Sequence, residues 1–459
     1  MTAFRRCLAG ALLFLFLSFG CIQDASALPA FARKYGLRCS ACHLAWPVLN
    51  DFGMRFRDNG YQLMNEKDAP IWQNNGYWPV TFRITPNWHR ESSNKVQVDT
   101  AAGAGAGEVQ VTSHGYDISG LDFHTGGTLE KNLSFYVLPS SDSTGAFHFE
   151  TVMGRLDNLF GSTWLNVKLG KFELDNMISE KRILTISNNG GFYQLYHFVP
   201  VGDTNVFGQM GDNQLGMEWM GHSFNDHTRV SAALVSSNDG QVGLPNGNSY
   251  SGFFTASQAF DAGGLGLQRI GGYAFIGEAP TNTLSLTAPT GEVTATGVPI
   301  VSTTPVPGSG FGNKSFSREG FFGLFYVKKF DFDVFYQHGS DDAYFGSATV
   351  AGTPLPTGAR NPTWNGAFIE SHYTWNPQLI FIQRSEWVRM SQQALPTNPS
   401  NLGNIDAYTF GYRWYPIMTS RAGFAWHNEY SWVRQRGTSP VTATDLSSSS
   451  LMLGFDFDF

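Results

Sequence analysis

Beyond its N-terminal region, the chain alternates polar and apolar positions in segments of roughly ten residues, the weak periodic pattern of strands in a transmembrane β-barrel. In residues 330–338, aromatic and aliphatic side chains take every second position, and Asp331 and Asp333 lie between them. Charged side chains at alternate positions cannot face lipid without losing their solvation, so they are expected to face a polar lumen. The same reasoning directs Leu169 outward and Lys168 inward.

Sixteen such segments can be counted, which predicts an antiparallel transmembrane β-barrel over residues 76–459. The strands are expected near residues 80, 116, 133, 147, 165, 212, 228, 251, 267, 319, 330, 365, 379, 405, 421 and 449. Brief turns are expected at Gly126-Gly127, Lys328-Lys329, Asn376-Pro377 and Pro416-Ile417, and long loops at 277–317 and 340–363. This alternation of short and long connections favours a barrel with both ends of its chain on the periplasmic side over a soluble β-sandwich or a β-helix.

The end of the chain agrees with a barrel. Leu451, Leu453, Phe455, Phe457 and Phe459 take every second position, Asp456 and Asp458 face the other way, and the last strand finishes on phenylalanine. This strand resembles the closing strand of bacterial porins, which the outer-membrane assembly machinery recognises.

Composition narrows the class of protein. Of 459 residues, 15% are charged, against roughly 25% in soluble domains. Aromatic residues make up 15% and there are 51 glycines, which favours strands and turns. After residue 27, no apolar run approaches the roughly 18 residues of a membrane-spanning helix, so the pattern excludes an α-helical membrane protein.

Residues 1–27 have the form of a cleaved signal peptide. A basic start at Arg5 and Arg6 precedes an apolar stretch from Leu8 to Phe19, and Ala25-Ser26-Ala27 fits a signal-peptidase site. We therefore expect an exported protein in the bacterial outer membrane.

The most specific motif follows shortly after this signal. Cys39-Ser40-Ala41-Cys42-His43 has the spacing of a c-type haem attachment site. Two thiols three positions apart can reach the two vinyl groups of one porphyrin, and the adjacent histidine supplies an axial ligand to the iron. A short-loop disulfide or a redox-active dithiol is the alternative, and a zinc site lacks further ligands nearby. We predict one covalent c-type haem in a segment of residues 28–75.

Residues 28–75 are too few to fold around a core of their own, so the haem is expected to provide one. Leu49, Phe52 and Phe56 recur at helical spacing, which predicts a short helix with one apolar face towards the porphyrin and a stop at Gly60.

The sixth haem ligand stays open at this point. Met64 follows the helix in an extended stretch and is the preferred candidate metal ligand, together with His43. Met54 is expected to point away from the apolar helix face. His89 qualifies only if the first strand runs close to the haem, and an open site would permit ligand binding or peroxide chemistry.

Residues 29–61 resemble the fused monohaem cytochrome-porins of bacterial outer membranes, whose best-known members are cell-surface Fe(II) oxidases. The resemblance lies in Phe31-Ala32-Arg33-Lys34, the haem motif, Pro47-x-Leu49-Asn50-x-Phe52-Gly53 and Phe56-Arg57-x-Asn59-Gly60-Tyr61. It implies one haem in a small cytochrome domain within or beneath a sixteen-stranded barrel, and electron transfer between an extracellular donor, such as Fe(II), or acceptor and a periplasmic cytochrome. Only Leu44, Ala45 and Trp46 separate His43 from Pro47, a shorter link than in the iron oxidases.

Charge is divided unequally between the two regions. Residues 28–75 carry a net charge of +2 and residues 76–459 a net charge of −10, so an acidic lumen wall could hold a basic plug. We expect an electron conduit, either an oxidoreductase of the Fe(II)-oxidising type or an electron-transfer protein, with no nucleic-acid partner. The alternatives are a diffusion porin with a haem-containing structural or sensor plug, and a haem enzyme with an open sixth position.

Overall fold

The computed structural model describes residues 30–45, 48–63, 68, 70–73, 79–98, 107–141, 145–175, 213–236, 250–280, 282–293, 299–307, 313–342, 361, 363–391, 404–418, 423–436 and 445–458. Residues 1–27, the expected signal peptide, and Met64 lie outside these ranges. None of the helices in the described ranges has the length and apolar character needed to cross a bilayer.

In the described ranges, three α-helices lie near the N-terminus, α1 Ala30–Tyr35, α2 Cys39–Cys42 and α3 Asp51–Asp58. Single 3-10 turns cover Ile71–Gln73, Leu159–Gly161 and Gly263–Leu265. The strands, in chain order, are β1 His43–Ala45, β2 Val48–Leu49, β3 Val80–Val98, β4 Gly107–Glu130, β5 Leu133–Ser141, β6 Phe147–Leu156, β7 Asn166–Glu173, β8 Asn213–His222, β9 Thr228–Ser236, β10 Tyr250–Asp261, β11 Leu267–Pro280, β12 Asn282–Val293, β13 Pro299–Pro307, β14 Asn313–Val327, β15 Phe330–Asp341, β16 Thr363–Asn376, β17 Leu379–Met390, β18 Asn404–Met418, β19 Gly423–Arg436 and β20 Leu446–Asp458.

Sixteen of these strands close into one antiparallel barrel, so the predicted fold is confirmed. Each barrel strand pairs with its neighbour in sequence, except that β11 pairs with β14, and β20 closes the barrel on β3. Brief connections join β4 to β5, β14 to β15 and β16 to β17 at one end, which we call the short-turn end.

The two faces of the wall follow the predicted alternation. Leu169 is 49% exposed on the outside, whereas Lys168 is buried on the inside. In β19, Trp426 and Tyr430 face outward and His427 and Glu429 face inward and are buried. The apolar residues of the barrel therefore lie on both the outer surface and part of the inner face, and many of its charged residues are buried on the inner face.

Two predicted turns are wrong, and one predicted long loop contains strands of its own. Gly126 and Gly127 lie within β4. Their lack of a side chain leaves room there for the N-terminal segment, since a Cβ on Gly127 would lie 2.6 Å from the Ile71 side chain. Pro416 and Ile417 lie within β18, where the pairing with β19 shifts register. The expected loop 277–317 contains the antiparallel hairpin of β12 and β13, in a stretch rich in β-branched residues.

Candidate functional site

The two cysteines of the attachment motif lie one helical turn apart. Helix α2 consists of Cys39 to Cys42 alone, so both side chains leave the same side of one turn. His43 follows directly in β1, where it pairs with Leu49 of β2. Cys39 and Cys42 are not joined in a disulfide, so the structure does not contain the short-loop disulfide that was the alternative reading.

Asn50 ties this turn to helix α3. Its backbone N–H donates to the Cys42 carbonyl at 2.9 Å, and its side-chain Nδ2 donates to the Ala41 carbonyl at 3.0 Å. The same side chain caps α3, because its Oδ1 accepts from the Gly53 N–H at 2.9 Å. Sequence reasoning gave Asn50 no role of its own, although asparagine before a short helix is a recognisable cap signal.

Gly53 allows the helix to approach the motif. A Cβ at this position would lie 2.1 Å from the Cys42 carbonyl oxygen, a contact that no side-chain rotation can relieve. The first turn of α3 thus packs directly on the backbone that carries the thiols.

Both thiols are held in their neutral form. Burial, with a further contribution from Asp458, raises the pKa of Cys39 to about 12. Burial raises the pKa of Cys42 to about 11. Redox-active dithiols generally have a lowered thiol pKa, so these surroundings disfavour a redox-active dithiol.

The predicted helix is present and carries Phe52 and Phe56 on one side, but it begins after Leu49. Leu49 lies in β2, before the helix. Phe56 is buried against Phe31 and Tyr35, whereas Phe52, on the same side of the helix, is 41% exposed. The helix ends as expected, since Gly60 follows it with a φ of +72°.

The N-terminal segment lies inside the barrel and touches its inner wall on several sides. Lys34 Nζ donates to Thr128 Oγ1 of β4 at 3.0 Å, and the Tyr61 ring packs near Tyr136 of β5. On another side, Ala45 and Val48 form one apolar cluster with wall residues of β17, β18 and β19. We call residues 30–63 the plug.

Ion pairs fix the end of helix α3 to the wall. Arg57 Nη2 lies 3.1 Å from Asp175 Oδ1, and Asp58 pairs with Arg229 of β9. Arg155 of β6 donates to the carbonyl oxygens of Arg57 at 2.7 Å and Asp58 at 3.1 Å. Both signs of charge therefore occur on the plug side of this contact, so the simple scheme of a basic plug in an acidic wall is incomplete.

Two of the candidate sixth ligands, Met54 and His89, contact the wall of the barrel. Met54 is 4% exposed and packs in an apolar cluster of the wall, with its Sδ 4.0 Å from Arg229 Nη1. His89 Nε2 lies 2.5 Å from Ser450 Oγ on the neighbouring strand. Both side chains are thus engaged with the wall, and Met64 lies outside the described residues.

The fold of the barrel is similar to that of several solved structures, among them a porin. The anion-selective porin from Comamonas acidovorans is 10% identical, with 83% of this chain and 98% of that chain covered and a TM-score of 0.48. OprB of Pseudomonas putida is 10% identical over 91% and 99% of the two chains, with a TM-score of 0.45. OmpT of Vibrio cholerae is 10% identical over 83% and 98%, with a TM-score of 0.42. No family model matches the chain, and no curated protein matches it.

Proposed function

We propose that this protein carries single electrons across the bacterial outer membrane, between an extracellular donor such as Fe(II) and a periplasmic cytochrome. The observation that carries the proposal is a Cys-x-x-Cys-His motif held inside the lumen of a closed barrel. A redox centre at this place would lie between the two aqueous sides, whereas a centre below the barrel would be remote from an extracellular donor.

The residues present fit one covalent haem. Cys39 and Cys42 would hold it through two thioether bonds, and His43 would be an axial ligand. When bound, the haem supplies a site that gains and loses one electron. The partly exposed Phe52 ring, next to Gly53 in the chain, offers apolar surface for contact with a porphyrin.

Other residues of the plug position the motif. Asn50 and Gly53 lock the thiol-bearing turn onto α3, and the ion pairs of Arg57 and Asp58 lock α3 onto the wall. The aromatic cluster of Tyr35, Phe56 and Tyr61 fills the space between α1 and the helix end.

The outer surface of the barrel supports placement in a membrane. Large apolar side chains on many strands are about half exposed to the outside, which is a larger apolar surface than soluble proteins carry. They include Leu169, Met217, Leu234, Phe254, Ile270, Phe321, Phe410 and Leu453. An apolar belt about 25 Å tall around a closed barrel is the feature by which such proteins span the outer membrane.

The proposal is tested with purified protein in liposomes that contain a trapped periplasmic cytochrome, with Fe(II) added outside. We expect reduction of the trapped cytochrome, and we expect the His43→Ala variant to lose the normal haem spectrum and this reduction. A wild-type protein that carries no added porphyrin mass would contradict haem attachment. A haem-loaded protein that leaves the cytochrome oxidised would contradict the iron conduit.

A diffusion porin is the second candidate, and the number of strands favours it. Barrels of sixteen strands are wide enough to leave an aqueous channel beside partial obstructions. Swelling of protein-containing liposomes in sugar solution, without any electron transfer to the trapped cytochrome, would support this function instead.

A further inference from the structure

A second cluster of metal-binding side chains lies in the lumen wall, on β15 and β16. Ligand atoms of Asp333, Glu370 and His372 all lie within 4.8 Å of one another. Asp331 pairs across the strands with His372, and Asp333 pairs with Glu370. Residues two apart on a strand share a face, so all four side chains point into the lumen near the short-turn end.

The imidazole of His372 is held from both sides by carboxylates. Its Nδ1 contacts Asp331 Oδ2, and its Nε2 lies 2.7 Å from Glu370 Oε1. A carboxylate on one ring nitrogen of a histidine is the usual support for metal binding through the other nitrogen, because it fixes the tautomer and the ring orientation.

The carboxylates of this cluster outnumber the guanidinium groups that reach them. Arg384 Nη1 lies 3.4 Å from Glu370 Oε2, and the same guanidinium also pairs with Glu386. Within the described residues, no lysine or arginine forms an ion pair with Asp331 or Asp333. Buried carboxylates need a cation or a proton nearby, since they have lost their hydration.

A related cluster elsewhere in the wall is compensated differently. His427 Nε2 lies 2.6 Å from Glu429 Oε2, and its Nδ1 lies 3.6 Å from Asp456. There, two guanidinium groups reach the carboxylate, because Arg413 and Arg83 lie 3.6 Å and 3.4 Å from Asp456. This cluster has similar residue types but arginines in the place where a metal ion could otherwise compensate the charge.

We propose that Asp333, Glu370 and His372 bind one divalent transition-metal ion, with Asp331 as the positioning residue for His372. The ion would bind His372 through Nε2 in place of the contact with Glu370, and any proton on that nitrogen would be released, as metal binding to histidine generally requires. Carboxylate and imidazole ligands suit ions such as Zn(II), Mn(II) and Fe(II). Asp333 is partly exposed while Glu370 and His372 are 1% exposed, so Asp333 gives access from the lumen.

The geometry needs a small adjustment to hold an ion. Ligand atoms about 2.0–2.2 Å from a metal lie roughly 3–3.5 Å from one another in a tetrahedral site. Ligand atoms as far apart as 4.8 Å must therefore approach one another by about an ångström when an ion binds.

The test uses the full-length protein, washed with chelator and titrated with Zn(II). Bound zinc is measured by elemental mass spectrometry, and its ligands by X-ray absorption at the zinc edge. We expect one bound Zn(II) per chain with nitrogen and oxygen neighbours at about 2.0 Å. The proposed site shares no residue with the haem motif, so the proposal does not depend on haem attachment. Zinc bound by Cys39 and Cys42 would instead show sulfur neighbours at about 2.3 Å. Sulfur neighbours in place of nitrogen and oxygen would overturn the proposal.

Single substitutions test each proposed ligand, the positioning residue and a control residue. His372→Asn, Glu370→Gln and Asp333→Asn are each expected to abolish the bound zinc, and Asp331→Asn to weaken it roughly 10- to 100-fold, as loss of a supporting residue does. His427→Asn, in the arginine-compensated cluster, is the matched control and should bind zinc as the wild type does. Barrel formation in every variant is checked by the heat-dependent shift in electrophoretic mobility.

Two results would overturn the site. One is a wild-type protein that binds no more zinc than a correctly folded Glu370→Gln variant. The other is a His427→Asn variant that loses zinc to the same extent as His372→Asn.

Discussion

At the scale of single residues, Gly53 of α3 packs directly against the turn that carries the two thiols. A methyl group there would lie 2.1 Å from the Cys42 carbonyl oxygen, so Gly53→Ala must displace α3 or the motif. Overpacking of this kind costs about 1–3 kcal/mol. We expect most Gly53→Ala chains to lack covalent haem when intact mass is measured after coexpression with the haem-attachment machinery.

The matched control for this substitution is Gly154→Ala. A Cβ on Gly154 would meet no heavy atom within 4 Å, so the added methyl group has room in the wall. Normal haem content in both alanine variants would show that the contact between α3 and the motif is not required for attachment.

The two thiols allow a prediction about pH. The pKa of Cys42 is raised to about 11 by burial, and a raised thiol pKa keeps the unreactive neutral form until the pH climbs towards that value. In haem-free folded protein at pH 8, we therefore expect alkylation by iodoacetamide to be roughly 100-fold slower than for an ordinary thiol. The rate should rise tenfold per pH unit up to about pH 11.

Unfolding provides the control for the alkylation experiment. In denaturant, both cysteines should regain an ordinary pKa near ~8.5 and react quickly at pH 8. Fast alkylation of the folded protein at pH 8 would contradict the raised pKa of Cys42.

At the scale of elements, the end of α3 depends on one buried carboxylate. Asp58 pairs with Arg57 at 2.8 Å and with Arg229 of the wall, and its side chain is 8% exposed. Removing one partner of a buried pair costs about 3–5 kcal/mol, because it leaves an uncompensated charge. Asp58→Asn should therefore speed hydrogen exchange in residues 51–60 by roughly 100-fold or more.

An exposed ion pair gives the comparison. Arg434 and Asp445 pair where both side chains are about 40% exposed, and such pairs contribute about 0–1 kcal/mol. Asp445→Asn should leave exchange in residues 51–60 unchanged. Equal exchange in Asp58→Asn and wild type would show that the pairs of Arg57 and Arg155 hold the helix without Asp58.

Sequence periodicity predicted the barrel strands because each strand has an apolar outer face and a more polar inner face. Leu169 and Lys168 are adjacent in sequence, yet one is exposed outside and the other buried inside, as their alternation required. The connections were harder to predict, because glycine occurs in turns and also within strands where another segment packs closely. Gly127 was expected in a turn but lies within β4, because Ile71 of the N-terminal region approaches the strand there.

The same limit applies to the candidate site. The spacing of Cys39, Cys42 and His43 indicates haem chemistry from sequence alone. Nothing in the periodicity of α3 shows that Phe56 packs inside the plug while Phe52 stays partly exposed, because that difference depends on how the helix meets α1. The cluster around His372 was also missed, since its residues lie on separate strands and fit the ordinary pattern of lumen-facing polar positions.

At the scale of the whole molecule, the barrel and the plug are separable structures. The wall closes through pairing of β20 with β3 and uses no plug strand. The plug adds contacts to the inner wall through ion pairs and apolar clusters, but it supplies none of the hydrogen bonds between barrel strands. Removing the plug should therefore leave a barrel that still inserts into a membrane.

Deletion of residues 30–73, with the signal peptide retained, tests this separation and the effect of the plug on the channel. A sixteen-stranded barrel without an obstruction is wide enough for an aqueous pore, so we expect single-channel conductance in planar bilayers to rise several-fold over the wild type. The deletion should also abolish electron transfer to a trapped cytochrome, because it removes the whole Cys39–His43 motif. If the wild type already conducts as well as the deletion, the plug does not restrict the lumen, and diffusion of small solutes becomes the better account of the barrel.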